Sequence, residues 1–94
     1  MSKLNQGQIN SNLSKFSGWS FENESISKQF QFKDFIEALS FVNAVGLESE
    51  KMDHHPDILM FAWNKVKITI STHSAGGVTD KDFLLAKKIE ERIK

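Results

Sequence analysis

Apolar residues along this chain alternate between a helical period and a period of two, and the changes of period mark out seven elements. Ile9, Leu13 and Phe16 recur at helical spacing, which predicts an amphipathic helix over residues 5–16, closed by Ser17-Gly18. Trp19 and Phe21 then alternate with Ser20 and Glu22 as in a short strand, and Asn23-Glu24-Ser25 reads as a turn. From Ile26 the period is two again. Ile26, Phe30 and Phe32 face one way and Ser27, Gln29 and Gln31 the other, so the two strands should pair as a hairpin.

At Asp34 the period changes once more. Asp34 is placed to cap a helix, with Glu37 reaching back to it, and Phe35, Leu39, Val42 and Val45, flanked by Ile36 and Ala38, form the expected buried stripe. That helix should run to about Gly46 or slightly beyond. Pro56 disfavours helix at His55, which makes His54-His55-Pro56 a loop. Ile58 to Trp63 predicts a strand, and Val66, Ile68 and Ile70, alternating with polar residues, predict another. His73 to Val78 is a glycine-containing loop. Thr79 then caps a last helix whose apolar side is Leu85, Ala86, Ile89 and Ile93. The order α-β-β-α-β-β-α predicts an α+β fold, a four-stranded antiparallel sheet with helices packed on one face.

Ninety-four residues suit a single domain over 1–94. Twelve basic and twelve acidic side chains cancel, so no positive field favours direct contact with nucleic acid. The absence of cysteine excludes disulfides, thiolate metal sites and a cysteine nucleophile. No signal-like N-terminus and no apolar run of membrane length appear, so the expected location is cytoplasmic, with no membrane partner.

All three histidines sit in two segments, Glu50-Lys51-Met52-Asp53-His54-His55-Pro56 and Ser71-Thr72-His73-Ser74. Imidazole is the side chain whose unperturbed pKa lets it trade protons near neutrality, so the cluster suits acid–base work on a small molecule. Ordinary surface histidines are one alternative, and a zinc site is another, because three histidines match a catalytic zinc set. Adjacent His54 and His55 are awkward ligands for one tetrahedral ion, and no metal is expected. Asp82 reads as the acidic partner of Thr79 in a capping box. Gly76-Gly77 supplies loop geometry and lacks the lysine of a phosphate loop.

Four ordered segments carry a specific resemblance: Glu50-Lys51-x-x-His54-His55-Pro56, Trp63-Asn64-Lys65-Val66, Ser71-Thr72-His73, and Gly76-Gly77-Val78-Thr79-x-x-Asp82. Together with Gly18-Trp19 and the stretch Lys28–Phe35 they are similar to the pterin-4a-carbinolamine dehydratases over nearly the whole chain. Between Pro56 and Asn64 the chain is one residue longer than the commonest family form, with Trp63 where Tyr is frequent. A bulge or the strand start is the expected place for that residue.

The resemblance implies loss of water from 4a-hydroxytetrahydrobiopterin to give the quinonoid dihydropterin, in tetrahydrobiopterin recycling, with no cofactor. It places the active-site histidines on His54, His55 and His73. His54 and His73 are expected to transfer protons and His55 to bind or orient the pterin. Backbone groups around Asp53–His55 and across Ser71, Thr72, His73 and Ser74 would bind the ring, and Trp19 would stack on it or wall the pocket. Asp82 could also orient His73. The resemblance further implies a homodimer or homotetramer, with the regular strand Val66–Thr72 as the expected pairing edge. Alternative roles are a dimerisation cofactor of a transcription factor, or a place in other pterin (molybdopterin) metabolism.

Overall fold

The computed structural model describes residues 2–93. Its elements run α1 (Gln6–Leu13), β1 (Ser20–Glu22), β2 (Ser25–Gln31), α2 (Phe35–Met52), β3 (Asp57–Phe61), β4 (Lys65–Ile70) and α3 (Asp80–Arg92), the order expected. The sheet is antiparallel with strand order β1-β2-β4-β3. β4 is therefore an inner strand, paired with β2 on one side and β3 on the other. The pairing edge expected at Val66–Thr72 is corrected: the free edges are the three-residue β1 and β3.

One sheet face makes the core. Ile26 sits opposite Ile70 and Phe30 opposite Val66, and all four are buried with Ile68. α1 ends three residues earlier than the apolar spacing suggests, at Leu13, although Phe16 still packs on the core and stacks against Phe83. α2 buries Ala38, Phe41, Val45 and Ser49. The Phe41 ring lies 4.7 Å from Phe30 and 4.9 Å from Phe32, and these aromatic contacts fix the rotation of the helix. The expected stripe is corrected accordingly: Phe35, Ile36 and Leu39 are 49, 68 and 39% exposed. The helix carries apolar residues on two faces, and spacing alone cannot rank them.

α2 also passes Gly46 and continues to Met52. A mid-helix glycine costs only about 1 kcal/mol relative to alanine, and the extension carries buried Glu48 and Ser49 onto the core. Asp34 caps α2 by accepting the Glu37 amide, while Glu37 accepts the amide of Lys33 instead of that of Asp34. In α3, Phe83, Leu85, Ala86 and Ile89 are buried, and Ile93, expected on that side, is the exposed C-cap.

β3 stops at Phe61, short of the expected Trp63. Ala62 and Trp63 take left-handed backbone, with φ of 46° and 53°, and turn the chain into β4. The β3–β4 ladder is continuous from Asp57 to Phe61, with no bulge. β3 begins directly after Pro56.

Glu48 links the two long helices. Its carboxylate accepts from Nε and Nη2 of Arg92, both at 2.8 Å. That hydrogen bond holds the carboxyl below its ordinary range against the opposing effect of burial, with Lys51, the Arg92 charge and Lys88 adding smaller help. A carboxyl with a depressed folded pKa adds stability above its unfolded value and loses it as pH falls through the folded one. Glu48→Gln should therefore be less stable than wild type near neutrality, the gap closing in acid. Chemical denaturation across pH tests this, and a pH-independent gap would refute it.

Candidate active site

The C-terminus of α2 sets the first part of the site. Asp53 takes left-handed backbone (φ 50°) and its amide bonds back to Glu50 and Ser49. Aspartate tolerates that conformation better than most residues, and the turn it makes sends His54 inward and His55 outward. The His54 amide is tied to the Ser49 carbonyl at 3.0 Å. The His54 side chain is buried, and its Nε2 lies 2.5 Å from Oδ1 of Asp82. His55 is exposed, with Nε2 against Oε1 of Glu50 one turn back on α2.

The start of α3 supplies the second part. Asp82 is fully buried, and its Oδ2 accepts the Thr79 amide at 2.8 Å and the Thr72 hydroxyl at 2.9 Å. Thr79 and Asp82 form the expected capping box. Asp82 also has a role that spacing did not reveal. Its histidine partner is His54, and the suggestion that it orients His73 is corrected. Thr72 contacts Thr79 as well, oxygen to oxygen at 2.8 Å.

Thr72 connects this buried network to the third histidine. It immediately precedes a short 3-10 turn, His73–Ala75, closed by hydrogen bonds between Thr72 and Gly77 in both directions. Gly76 (φ 73°) ends the turn in the left-handed region, where its lack of a Cβ avoids strain. His73 is exposed and lines a cleft of about 280 Å³ with Ser71, Gly76, Gly77 and the β1–β2 turn Asn23–Ser25. Ser74 is exposed beside it.

The fold thus joins His54, Thr72 and Asp82 in one hydrogen-bond network, with His55 and His73 adjoining it along the chain. Trp19 is set apart from that network. Its indole is buried, donates to Glu90 at 2.9 Å and meets Phe30 edge-on. Lys28 reaches the same Glu90 oxygen at 2.7 Å. A larger cleft of about 400 Å³ between α2 and the end of α3 contains Phe41, Ala44, Arg92 and Ile93 but no histidine. Glu50 as the partner of His55 also escaped sequence reasoning. Its place one helical turn before His55 was the available signal.

Among the described residues, no group of three or more His, Cys, Asp or Glu side chains is placed to hold a metal ion. No helix among them is long and apolar enough to cross a membrane.

A family model described as pterin 4 alpha carbinolamine dehydratase matches residues 2–92. A protein of Sulfolobus acidocaldarius bearing the family's name is 46% identical over 89 residues, 95% of this chain and 97% of its own length. A Trichormus variabilis protein of the same name is 47% identical over 88 residues, covering 94% of each chain. The crystal structure of a transcriptional coactivator/pterin dehydratase from Brucella melitensis superposes with a TM-score of 0.90 at 37% identity, covering 96% of this chain and 97% of that one. A pterin dehydratase-like protein described as a RuBisCO assembly factor in the alpha-carboxysome shares the fold at 20% identity, with a TM-score of 0.63 over 78% of this chain and 83% of that one. With that coverage and identity, the chain belongs to the pterin-4a-carbinolamine dehydratase family.

Proposed function

We propose that the protein dehydrates 4a-hydroxytetrahydrobiopterin to the quinonoid dihydropterin by histidine acid–base catalysis, as a step in tetrahydrobiopterin recycling. The observation that carries this reading is the buried His54–Asp82 pair, tied through Thr72 to the turn that bears exposed His73. Expulsion of hydroxide from C4a is slow unless an acid protonates the leaving oxygen, and formation of the new double bond requires loss of a ring N–H proton. Each positioned proton transfer contributes about 10²–10⁴ in rate. His54 and His73 form the proton-transfer pair, and His55, beside the site and held by Glu50, orients the ring. Backbone groups at Asp53–His55 and Ser71–Ser74 complete the binding surface. The chemistry calls for no electron transfer, nucleophile or metal.

Addition of purified protein to chemically generated 4a-hydroxytetrahydropterin, followed by ultraviolet absorbance, tests the proposal directly. Catalysed decay is expected, and decay at the buffer rate would reject it.

A second role is favoured by the exposed Phe35, Ile36 and Leu39 on α2, joined by Leu47. Such a patch on a helix suits association with another protein or a second copy of this chain. The Brucella relative is described both as a coactivator and as a dehydratase. We propose a homodimer or homotetramer whose contacts use this helix face or the free β3 edge. Light scattering at micromolar concentration should return a multiple of the 10.7 kDa chain mass, and a clean monomer would remove the proposal.

A further inference from the structure

We propose that Asp82 is a positioning residue that fixes the tautomer of His54, so that Nε2 keeps a proton against Asp82 and Nδ1 is the atom that accepts the substrate's proton. This rests on the dehydratase reading for the identity of the substrate, but the tautomer itself does not depend on it.

Both Asp82 oxygens are engaged. Oδ2 takes the Thr79 amide and the Thr72 hydroxyl, and Oδ1 faces Nε2 of His54 at 2.5 Å. With Oδ2 already accepting two donors, a carboxylate that accepts at Oδ1 as well serves all three contacts, and Nε2 is then the donor. In neutral imidazole the other nitrogen then carries the lone pair. Among the described residues Nδ1 of His54 makes no hydrogen bond, yet no buried side-chain nitrogen or oxygen lacks a partner. Nδ1 therefore opens to the surface while the rest of the ring, in a side chain only 9% exposed, is covered.

The proton balance follows. A pterin ring N–H gives its proton to Nδ1, and the electrons of that bond form the new double bond toward C4a. The C4a–O bond breaks, and the leaving hydroxide takes a proton from protonated His73 to become water. His54 ends as an imidazolium against the Asp82 carboxylate, and His73 ends neutral. Exchange with solvent restores both. A buried anion facing the newly charged ring stabilises the state in which that proton has moved.

Asp82→Asn separates geometry from charge. The Thr79 amide needs an acceptor, which draws the new amide oxygen to the Oδ2 position and leaves the NH₂ group facing His54. Nε2 must then accept, the proton moves to Nδ1, and the base is blocked. We expect kcat to fall by about 10²–10⁴ with KM changing less than about threefold. Nitrogen-15 NMR of histidine-labelled protein should show His54 protonated at Nε2 in wild type and at Nδ1 in Asp82→Asn. A wild-type spectrum with the proton on Nδ1 overturns the proposal, as does a folded Asp82→Asn protein that keeps the wild-type tautomer and kcat. If the variant does not fold, the wild-type spectrum alone decides. If the wild-type protein shows the Nε2 proton but does not dehydrate the carbinolamine, the positioning role stands and only the substrate assignment falls.

Discussion

His54→Ala and His73→Ala should each lose about 10²-fold or more of the dehydration rate, because each removes one of the two proton transfers in the proposed reaction. The two variants differ in how cleanly they report. His73 is exposed on a short turn, so its loss should change stability by no more than about 0.5 kcal/mol, and a slower rate would be a chemical effect. His54 is buried against Asp82, so its removal also strands Oδ1 of a buried carboxylate. Its rate must be measured on protein shown to be folded by circular dichroism and gel filtration. His55→Ala, which removes an exposed ring held by Glu50, should raise KM more than it lowers kcat. Wild-type rates in folded His54→Ala and His73→Ala would show that the proton-transfer pair is misassigned. Association through α2 should be untouched by all three changes, which separates a binding role from the enzymatic one.

Asp82→Ala should be the most destabilising single truncation of a polar side chain at the site. It removes the acceptor of three donors at once: Nε2 of His54, the Thr72 hydroxyl and the Thr79 amide. Each is left in a buried setting where an unmade hydrogen bond costs about 1–3 kcal/mol. Removing one partner of a buried pair typically costs about 3–5 kcal/mol in total. For a domain of this size that corresponds to a fall in Tm of roughly 12 °C or more. Asp34→Ala is the control. Asp34 caps α2 with one exposed hydrogen bond to the Glu37 amide, so about 1 kcal/mol is expected. Comparable losses in the two variants, measured by thermal or urea unfolding, would mean that the buried network adds nothing beyond an ordinary cap.

Sequence alone carried the element order because each change of period is bounded by a residue with one dominant local role. Asp34 and Thr79 cap helices, and Pro56 disfavours helix at His55. It carried less of what depends on several elements at once. The rotation of α2 is settled by Phe41 against Phe30 and Phe32, and Phe41 looks no different in the sequence from Phe35. The central place of β4 depends on β2 pairing with it across the whole of α2, which no local pattern encodes. The three histidines were legible as two segments of the chain, and the resemblance marked them as candidate site residues. Their partners were not. Asp82 satisfies a complete local role as a cap, so nothing in the pattern asks for a second one, and its reach to His54 appears only when the ends of α2 and α3 meet.

The sheet order β1-β2-β4-β3 divides the molecule's labour. His54, Thr72, Thr79 and Asp82, with the neighbours His55 and His73, all belong to the chain after α2 begins its last turns. The opposite wall of the His73 cleft, Asn23–Ser25, comes from the tip of the N-terminal hairpin, joined to the rest of the sheet only where β2 meets β4. The proposed acid–base residues and one wall of the cleft are thus encoded in separate stretches of sequence. The hairpin tip can drift in length and side chain, reshaping that wall, while the proposed acid–base residues stay unchanged. A lineage can therefore re-target this scaffold to a new ligand, or stop using the cleft altogether, without first dismantling its chemistry.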